Sequence, residues 1–288
     1  MNIHIVFLFN GIGNQLSQYA LYKQLKEKSN NVYLLNNCVD IPGCSGGLDI
    51  KKLSPKIVDS LLNPLCAKIL VFFIKAMGQN RIFFLKHLAN YLARLLSIRV
   101  VNEKNFFEKK GSLNLYIDGW LNKVVEDPSD IYNDVFAEFF AKHCMINRKH
   151  IHDESCAIHF RGGDYIDGGK DSQIYGGIAD IGYYRRAIQK LSESKKISLY
   201  VIFTNDVQAA TIIFEELGIN FVFSSEIGSK TFLEDLCSMS YFPNLIMSNS
   251  SFSYWSAATF SLEKVVLCPT KYRHYDDIDI YLENWTQV

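Results

Sequence analysis

A chain of 288 residues, 48% of them hydrophobic and 21% charged, is long enough for one large or two medium globular domains with an ample core. Its formal net charge of +0 excludes the basic surplus typical of nucleic-acid binding, so we expect no nucleic-acid partner. Its seven cysteines include no CxxC pair, which predicts reduced thiols in a cytoplasmic protein rather than disulfides or a metal site.

The first residues predict a strand, a glycine turn and a helix in succession. Residues 3–9, IHIVFLF, form a near-continuous apolar run that is typical of a buried parallel strand. No basic region precedes the run, and it is too short for a signal peptide, so we expect a mature chain that begins with this strand. Residues 10–15, NGIGNQ, lead into a helix, and residues 32–35 predict a second strand. This order predicts the first unit of a doubly wound sheet.

The glycine turn resembles half of a dinucleotide fingerprint. Position 16 is Leu rather than Gly, and no acidic residue follows the second strand at the required distance, so NAD binding is disfavoured. Gly13, Asn14 and Gln15 still begin a helix, where backbone N–H groups and side-chain amides are able to bind a sugar or phosphate. The alternative is a plain tight turn without a ligand.

Residues 60–102 contain no Asp or Glu, yet they carry six Lys or Arg residues among Leu, Ile and Phe. The charges interrupt the apolar runs too often for a membrane span, so the pattern predicts two basic amphipathic helices. Such helices either pack their apolar stripe on the domain with the basic residues in solvent, or lie on an anionic membrane surface. The sequence leaves both alternatives open.

The second half of the chain alternates strands and helices. A polar, basic stretch at residues 147–154 is the best linker candidate, so we place the domain boundary at residue 150. After it, apolar runs alternate with amphipathic helices, and these runs lie at residues 156–158, 199–206, 219–225, 245–247 and 265–268. We therefore predict an α/β protein with two Rossmann-like domains, residues 1–150 with a basic insertion at about 60–102, and residues 151–288.

The motif HFRGGDY, residues 159–165, follows a short buried strand and does not build a core. The pair Gly162-Gly163 lets the backbone turn tightly and approach a ligand closely. Arg161, a planar fork of donors at the strand's carboxyl end, suits a diphosphate, because ligands of open α/β sheets lie beyond the carboxyl ends of the strands. The structural alternative is an Arg161–Asp164 salt bridge that closes a loop, and the two interpretations can coexist.

Two other stretches place polar side chains at the same edge of the predicted sheet. SNSSFSYW, residues 248–255, precedes a helix and forms either an anion-binding nest or an ordinary N-cap with excess serine. In the nest, Ser250, Ser251 and Ser253 would add hydroxyl donors. FTND, residues 203–206, places Asn205 after a strand, which is a weak signal alone.

Three other patterns carry little weight. Asp277-Ile278-Asp279 has the form of a metal-binding DxD motif, but it lies in an aspartate run that is typical of a solvated turn. The seven histidines show no zinc-ligand spacing. A Ser–His–Asp hydrolase would need a GxSxG elbow, which the sequence lacks.

Four stretches, in order and spacing, resemble the bacterial α-1,2-fucosyltransferases, glycosyltransferase family 11: GIGNQLSQYA, HFRGGDY, YVIFTND and FLEDLCSMSYFPNLIMSNSSFSYWSA. The resemblance spans most of the chain and weakens between residues 36 and 110. It implies two Rossmann-like domains that face a cleft in the GT-B manner and a GDP-sugar donor held mainly by the second domain. It also implies inversion at the sugar's C1, without a metal or other cofactor.

The resemblance also implies residue roles. Arg161 would contact the β-phosphate and take up leaving-group charge, while His159 and Asp164 would shape the nucleotide pocket. The other predicted contacts to the nucleotide sugar are Gly13, Asn14 and Gln15 in the first domain and Asn205, Asp235, Asn249, Ser250, Ser251, Phe252 and Ser253 in the second. The catalytic candidates are Arg161 and Asp164. The general base is left open between Asp164, Asp167 and Asp171, or a route without a strong base.

The sequence departs from the family pattern at one position, because Gly162 stands where the family usually has a second arginine. A contact to the donor is therefore absent or supplied elsewhere. A donor that lacks a hydroxyl, such as GDP-colitose, the 3-deoxy relative of GDP-fucose, would explain the difference. The implied acceptor is a galactose-type residue of a lipid-linked O-antigen repeat, and the basic helices would bring this cytoplasmic enzyme to the inner membrane face.

Two other classes of function fit the same residues. A non-catalytic nucleotide- or sugar-binding protein on this fold would bind GDP without transferring a sugar. An NAD-dependent enzyme is the second alternative, which the incomplete fingerprint at Gly11 and Gly13 disfavours.

Overall fold

The computed structural model describes residues 2–36, 49–53, 63, 65, 69–70, 87, 91–102, 111–117, 135, 148–258, 264–275 and 280–288. The chain divides into two compact units, residues 1–126 and 127–288. The expected domain boundary at residue 150 stays a prediction, since residues 136–147 lie outside the described part. The Asp277–Asp279 motif also falls outside it.

The first unit contains a parallel sheet of four strands, in the order β2-β1-β4-β3. These are β1 (Ile3–Leu8), β2 (Val32–Asn36), β3 (Ile98–Val101) and β4 (Leu113–Tyr116). Helix α1 (Ile12–Lys28) connects β1 to β2, and the short α2 (Ile50–Leu53) follows. The apolar run at residues 3–9 is confirmed as a buried parallel strand, and the glycine turn leads directly into the expected helix.

The second unit contains six parallel strands, in the order β10-β9-β8-β5-β6-β7. The strands are β5 (Ser155–Phe160), β6 (Leu199–Thr204), β7 (Phe221–Phe223), β8 (Asn244–Ile246), β9 (Val265–Cys268) and β10 (Thr286–Gln287). Numbered from the first strand of the unit, this is the 3-2-1-4-5-6 order of a dinucleotide-binding Rossmann fold. The α/β class with Rossmann-like parallel sheets is therefore confirmed.

Five helices accompany this sheet in the described residues: α3 (Lys170–Tyr175), α4 (Ile181–Ser192), α5 (Val207–Glu216), α6 (Phe232–Met239) and α7 (Ser251–Ala258). Polar side chains fix where three of them begin, because Asp180, Asp206 and Thr231 accept hydrogen bonds from backbone N–H groups of the first turn. Glu234 and Asp235 lie in the first turn of α6.

Helix α4 secures the central strands at their carboxyl ends. Tyr183 and Tyr184 are fully buried between the helix and the sheet. The Tyr183 hydroxyl donates to the Met247 carbonyl at 2.6 Å, and the Tyr184 hydroxyl donates to the His159 carbonyl at 2.8 Å. Burial raises the pKa of both phenols, so both remain neutral donors. Helix α4 thus holds the carboxyl ends of β5 and β8 in place.

Within the described residues, no helix is both long enough and apolar enough to cross a membrane. Most of the basic segment at residues 60–102 lies outside the described part, so the two expected amphipathic helices stay a prediction.

Candidate functional site

The second unit has a topological switch point between β5 and β8. The chain leaves β5 toward β6 and β7 on one side, then returns to β8 on the other, so the loops after β5 and β8 diverge. In open α/β sheets this divergence opens a crevice beyond the carboxyl ends of the strands, where ligands bind. Arg161 follows β5, Asn205 follows β6 and Ser248 follows β8, which brings three predicted motifs to one edge.

His159 joins the two sides of the switch point. Its Nδ1 lies 2.7 Å from the Ser248 Oγ, and its ring stacks on Phe252 with 5.4 Å between centroids. The ring is only 4% exposed. Burial, with a smaller contribution from the positive charge of Arg161, lowers the pKa of His159 from 6.5 to about 3. The imidazole is therefore neutral, and it acts as a flat, uncharged wall rather than as a cation for phosphate.

Arg161 lies at the mouth of the crevice. Its Nη2 donates to the Asp164 Oδ2 at 2.8 Å, and its guanidinium carbon lies 5.5 Å from the centroid of the Tyr165 ring. The side chain is 34% exposed. Asp164 is its hydrogen-bond partner in the described part of the chain, so most of its N–H donors remain for a ligand. The salt bridge and a diphosphate grip are thus compatible.

The two glycines of the motif are each required for a different reason. A Cβ at Gly162 would lie 2.5 Å from the Asp206 Cβ, so this position has no room for a side chain. Gly163 has a φ of +56°, in the left-handed region that favours glycine. An arginine at position 162 would therefore clash with Asp206 in this arrangement.

A cavity of about 340 Å³ opens beside these residues, within the size range of small-molecule sites. Of the predicted site residues it is lined by His159, Arg161, Asn205, Asp235 and Phe252. The structure therefore brings together side chains from all three second-domain stretches that the sequence singled out, HFRGGDY, FTND and SNSSFSYW, and Asp235 besides. Asp164 does not line the cavity but accepts a hydrogen bond from Arg161, which does.

The far wall of the cavity comes from the segment between β7 and α6, which the sequence analysis missed. It contributes Phe223, Ser224, Ser225, Ser229, Lys230, Thr231 and Phe232. The available signal was the polar pair Ser224-Ser225 directly after an apolar run, the same pattern that marks the ends of β5 and β6.

Asp235 is the acidic group of this wall. Burial raises the pKa of its carboxyl, an effect that the neighbouring hydroxyls of Ser224 and Ser229 partly offset. Asp235 lines the cavity, so its carboxyl group is the acidic acceptor that this wall offers to a polar ligand.

The serine-rich turn before α7 uses most of its side chains to brace itself. The Ser253 hydroxyl donates to the carbonyls of Ser248 and Ser250, and the Asn249 amide donates to the carbonyls of Tyr175 and Tyr272. Asn249 and Ser253 are buried. The predicted contacts of Asn249, Ser250, Ser251 and Ser253 with a nucleotide stay predictions. Backbone N–H groups at the start of α7 are the donors best suited to that role.

In the first unit, Gly13, Asn14 and Gln15 begin α1 as expected. Gln15 is fully buried, and its amide donates to the Asn10 carbonyl and accepts from the Ile50 N–H. Both polar atoms of this side-chain amide thus bond to the backbone of the unit itself. Asn14 is half-buried. The predicted contacts of these residues with a donor sugar stay predictions.

No group of three or more His, Cys, Asp and Glu side chains that could hold a metal ion occurs among the described residues. The metal independence implied by the family resemblance stays a prediction.

Comparisons with known proteins agree on a class of enzyme. The sequence profile of glycosyl transferase family 11 matches residues 49–288. The O-antigen biosynthesis glycosyltransferase WbnK of Escherichia coli is 28% identical over 117 residues, which cover 40% of this chain and 38% of that relative.

Solved structures show similarity over longer stretches but with low scores. The NodZ α-1,6-fucosyltransferase soaked with GDP-fucose has a TM-score of 0.46 at 13% identity, covering 88% of this chain and 91% of the other. POFUT1 in complex with GDP-fucose has a TM-score of 0.46 at 11% identity, covering 88% and 93%.

The buried, neutral His159 predicts a specific pH dependence. Because its pKa is lowered, the unfolded chain takes up a proton below about pH 6.5 that the folded chain does not. The free energy of unfolding therefore keeps the full contribution of the neutral His159 above pH 6.5, and it decreases as the pH falls from 6.5 toward 3. Between pH 7.5 and 5.5, we expect the free energy of unfolding of His159→Gln to decrease by about 1.4 kcal/mol less than that of the wild-type protein. Urea unfolding at both pH values measures this, and equal losses in the two proteins would contradict it.

Proposed function

Because this chain belongs to glycosyl transferase family 11, we propose that it is an inverting, metal-independent α-1,2-glycosyltransferase that uses a GDP-activated 6-deoxy-L-hexose. The sugar is L-fucose or its 3-deoxy analogue colitose, and the acceptor is a galactose-type hydroxyl. The similarity to an O-antigen biosynthesis glycosyltransferase supports a role in O-antigen synthesis, with a lipid-linked oligosaccharide as acceptor.

The observation that carries this proposal is Arg161 at the switch-point cavity with most of its donors uncommitted. A guanidinium forms bidentate hydrogen bonds with phosphate oxygens, and this one lies where a Rossmann unit holds its ligand. Asp164 orients it through the 2.8 Å salt bridge. In this function Arg161 stabilises the charge that develops on the β-phosphate as GDP departs.

The far wall supports guanine as the base. Guanine presents its N1–H and N2 amino group on one edge, and both are donors. The carboxyl group of Asp235 is the acidic acceptor in that wall. Adenine lacks this pair of donors. The neutral ring of His159 and the stacked ring of Phe252 provide flat apolar surface for the nucleoside.

The transfer itself is a single displacement. The acceptor oxygen bonds to C1 of the sugar, the bond from C1 to the β-phosphate oxygen breaks, and GDP leaves with the electron pair. The acceptor proton goes to a base or to solvent. Asp164, Asp167 and Asp171 remain the candidates for the base. Asp164 pairs with Arg161 through Oδ2 while its Oδ1 is buried and unpartnered, whereas the Asp167 Oδ1 accepts the Gly169 N–H.

Replacing Arg161 tests the leaving-group role. With GDP-fucose and GDP-colitose as donors and galactose-ended oligosaccharides as acceptors, the purified chain is expected to release GDP in an acceptor-dependent manner. We expect Arg161→Ala to lower this turnover by roughly 100-fold or more without loss of folding. The matched control is Arg185→Ala, which removes an exposed arginine paired with Glu216 and is expected to retain wild-type turnover.

Near-wild-type turnover by Arg161→Ala would contradict the assignment. GDP binding without any acceptor-dependent release would favour the non-catalytic alternative. A nicotinamide fluorescence titration exposes the NAD-dependent alternative. The ratio of turnover with the two donors identifies the sugar and tests whether Gly162 accompanies a donor that lacks a hydroxyl.

Replacing Asp235 tests the base. Hydrogen bonds to a charged group contribute about 1.5–3 kcal/mol, so wild-type protein is expected to bind GDP more tightly than IDP, which lacks the N2 amino group. Asp235→Ala is expected to weaken GDP binding by roughly tenfold or more and to remove this preference. Calorimetric titration with both nucleotides measures it. Glu216→Gln, which removes an exposed charge from α5, should leave both affinities unchanged. An unaltered preference in Asp235→Ala would disprove the contact.

We also propose that the basic segment at residues 60–102 brings the enzyme to an anionic membrane surface. Its sequence lacks acidic residues, and several of its large apolar side chains in the described part are exposed: Leu65, Ile69, Tyr91, Leu95 and Leu96. Exposed apolar side chains beside Lys and Arg suit the interface of an anionic bilayer.

Vesicle flotation at low salt tests this contact. The wild-type chain is expected to float with phosphatidylglycerol vesicles and not with phosphatidylcholine vesicles. Leu95→Asp should reduce the floating fraction severalfold, since it places a charge in the interface. Ile212→Asp is the matched control, because Ile212 is a comparably exposed apolar residue on α5. Absence of the wild-type chain from the anionic vesicle fraction would rule the contact out.

A further inference from the structure

The turn after β6 is fixed by its own hydrogen bonds. The Asp206 N–H donates to the Thr204 Oγ1 at 2.9 Å, and the Thr204 hydroxyl donates to the Asp206 carbonyl at 3.2 Å. The Asp206 Oδ1 accepts the Ala209 N–H at 3.0 Å and so caps α5. Asp206 is therefore held by a strand end and a helix start, without any ligand.

This fixed turn holds the loop that follows β5. The Gly162 N–H donates to the Asn205 Oδ1 at 3.0 Å, and the Asn205 Nδ2 donates back to the Gly162 carbonyl at 3.4 Å. The Gly163 N–H donates to the Asp206 Oδ2 at 3.2 Å. Since β5 and β6 are neighbours in the sheet, these bonds continue their pairing past the last strand residues, Phe160 and Thr204.

Arg161 depends on this support. It is followed by two glycines, the residue type with the greatest backbone freedom. Its salt-bridge partner Asp164 belongs to the same loop and moves with it, so the salt bridge cannot set the position of the loop. The Tyr165 hydroxyl bonds to the Asn249 carbonyl only at 3.4 Å, on the far side of the glycines.

We propose that Asn205 and Asp206 are positioning residues that hold the Gly162-Gly163 backbone and thereby aim Arg161 at the β-phosphate of the donor. This inference rests on the proposed function, in which Arg161 is the phosphate contact. It gives Asn205 a role through the loop rather than through direct binding of the nucleotide sugar. It also explains the absence of a side chain at position 162, because Asp206 fills that space.

The test compares binding of GDP with binding of GMP, which lacks the β-phosphate. A charge-assisted contact gives wild-type protein a GDP preference of roughly 10- to 100-fold. Asn205→Ala is expected to lower this preference by about tenfold, while its affinity for GMP stays within about twofold of the wild-type value. The reason is that a displaced Arg161 loses its contact with the β-phosphate, whereas the site of the base is intact. Calorimetric titration of the full chain measures the dissociation constants of both nucleotides.

Asn220→Ala is the matched control. The Asn220 side chain also donates to a backbone carbonyl, that of Ser198, but at the opposite, amino end of β6 and β7. It should leave the GDP preference at the wild-type value. If Asn205→Ala does not fold, Asp206→Asn repeats the test, because it keeps one oxygen for the cap of α5 and loses the second acceptor.

The double variant with Arg161→Ala separates positioning from direct contact. If Asn205 acts through Arg161, adding Asn205→Ala to Arg161→Ala lowers neither the GDP preference nor the turnover further. An equal loss in both backgrounds, or an unchanged preference in Asn205→Ala alone, would overturn the inference and leave the proposed function standing. A wild-type preference and turnover in Arg161→Ala alone would contradict the proposed function and this inference with it.

Discussion

The site depends on how two backbone N–H groups find acceptors beyond the end of a parallel strand. Strand pairing stops at Phe160, and the N–H groups of Gly162 and Gly163 lie beyond the last paired residues. A poorly solvated backbone donor needs a partner, and here the side chains of Asn205 and Asp206 supply it. This arrangement requires glycine at both positions and sets where Arg161 leaves the sheet. The chemistry of the loop therefore follows from the hydrogen bonding of its neighbour.

Burial then assigns different electrical states to groups that lie close together. The fully enclosed His159 loses its charge, since desolvation and the nearby guanidinium both disfavour a second cation. Arg161 carries the positive charge of a guanidinium, and Asp164 pairs with it. Asp235, enclosed in the opposite wall, has a raised pKa because burial disfavours its charged form. The cavity thus has one positive corner for phosphate and one polar acceptor for a base.

Sequence patterns were sufficient where a single property repeats along the chain. Apolar runs located β1, β5 and β6, and polar residues after such runs located Arg161 and Asn205. They were insufficient where one residue type has two uses. Gln15, Asn249 and Ser253 have the composition of ligand contacts, yet their side chains bond to the protein's own backbone. The wall at Ser224 and Ser229 was missed because its position depends on how the chain folds back between β7 and α6, which no local period encodes.

The residue at position 162 illustrates the same limit. From the sequence, glycine in place of the expected second arginine is a lost donor, and it suggests a donor sugar with one hydroxyl fewer. In the structure the space beside Gly162 is occupied, because a Cβ there would meet Asp206. Positions 162 and 206 are therefore physically linked, so an arginine at 162 requires a shift of the loop after β5 or of the turn after β6. The difference from the family pattern thus concerns the backbone path of the loop as much as the chemistry of the sugar it faces.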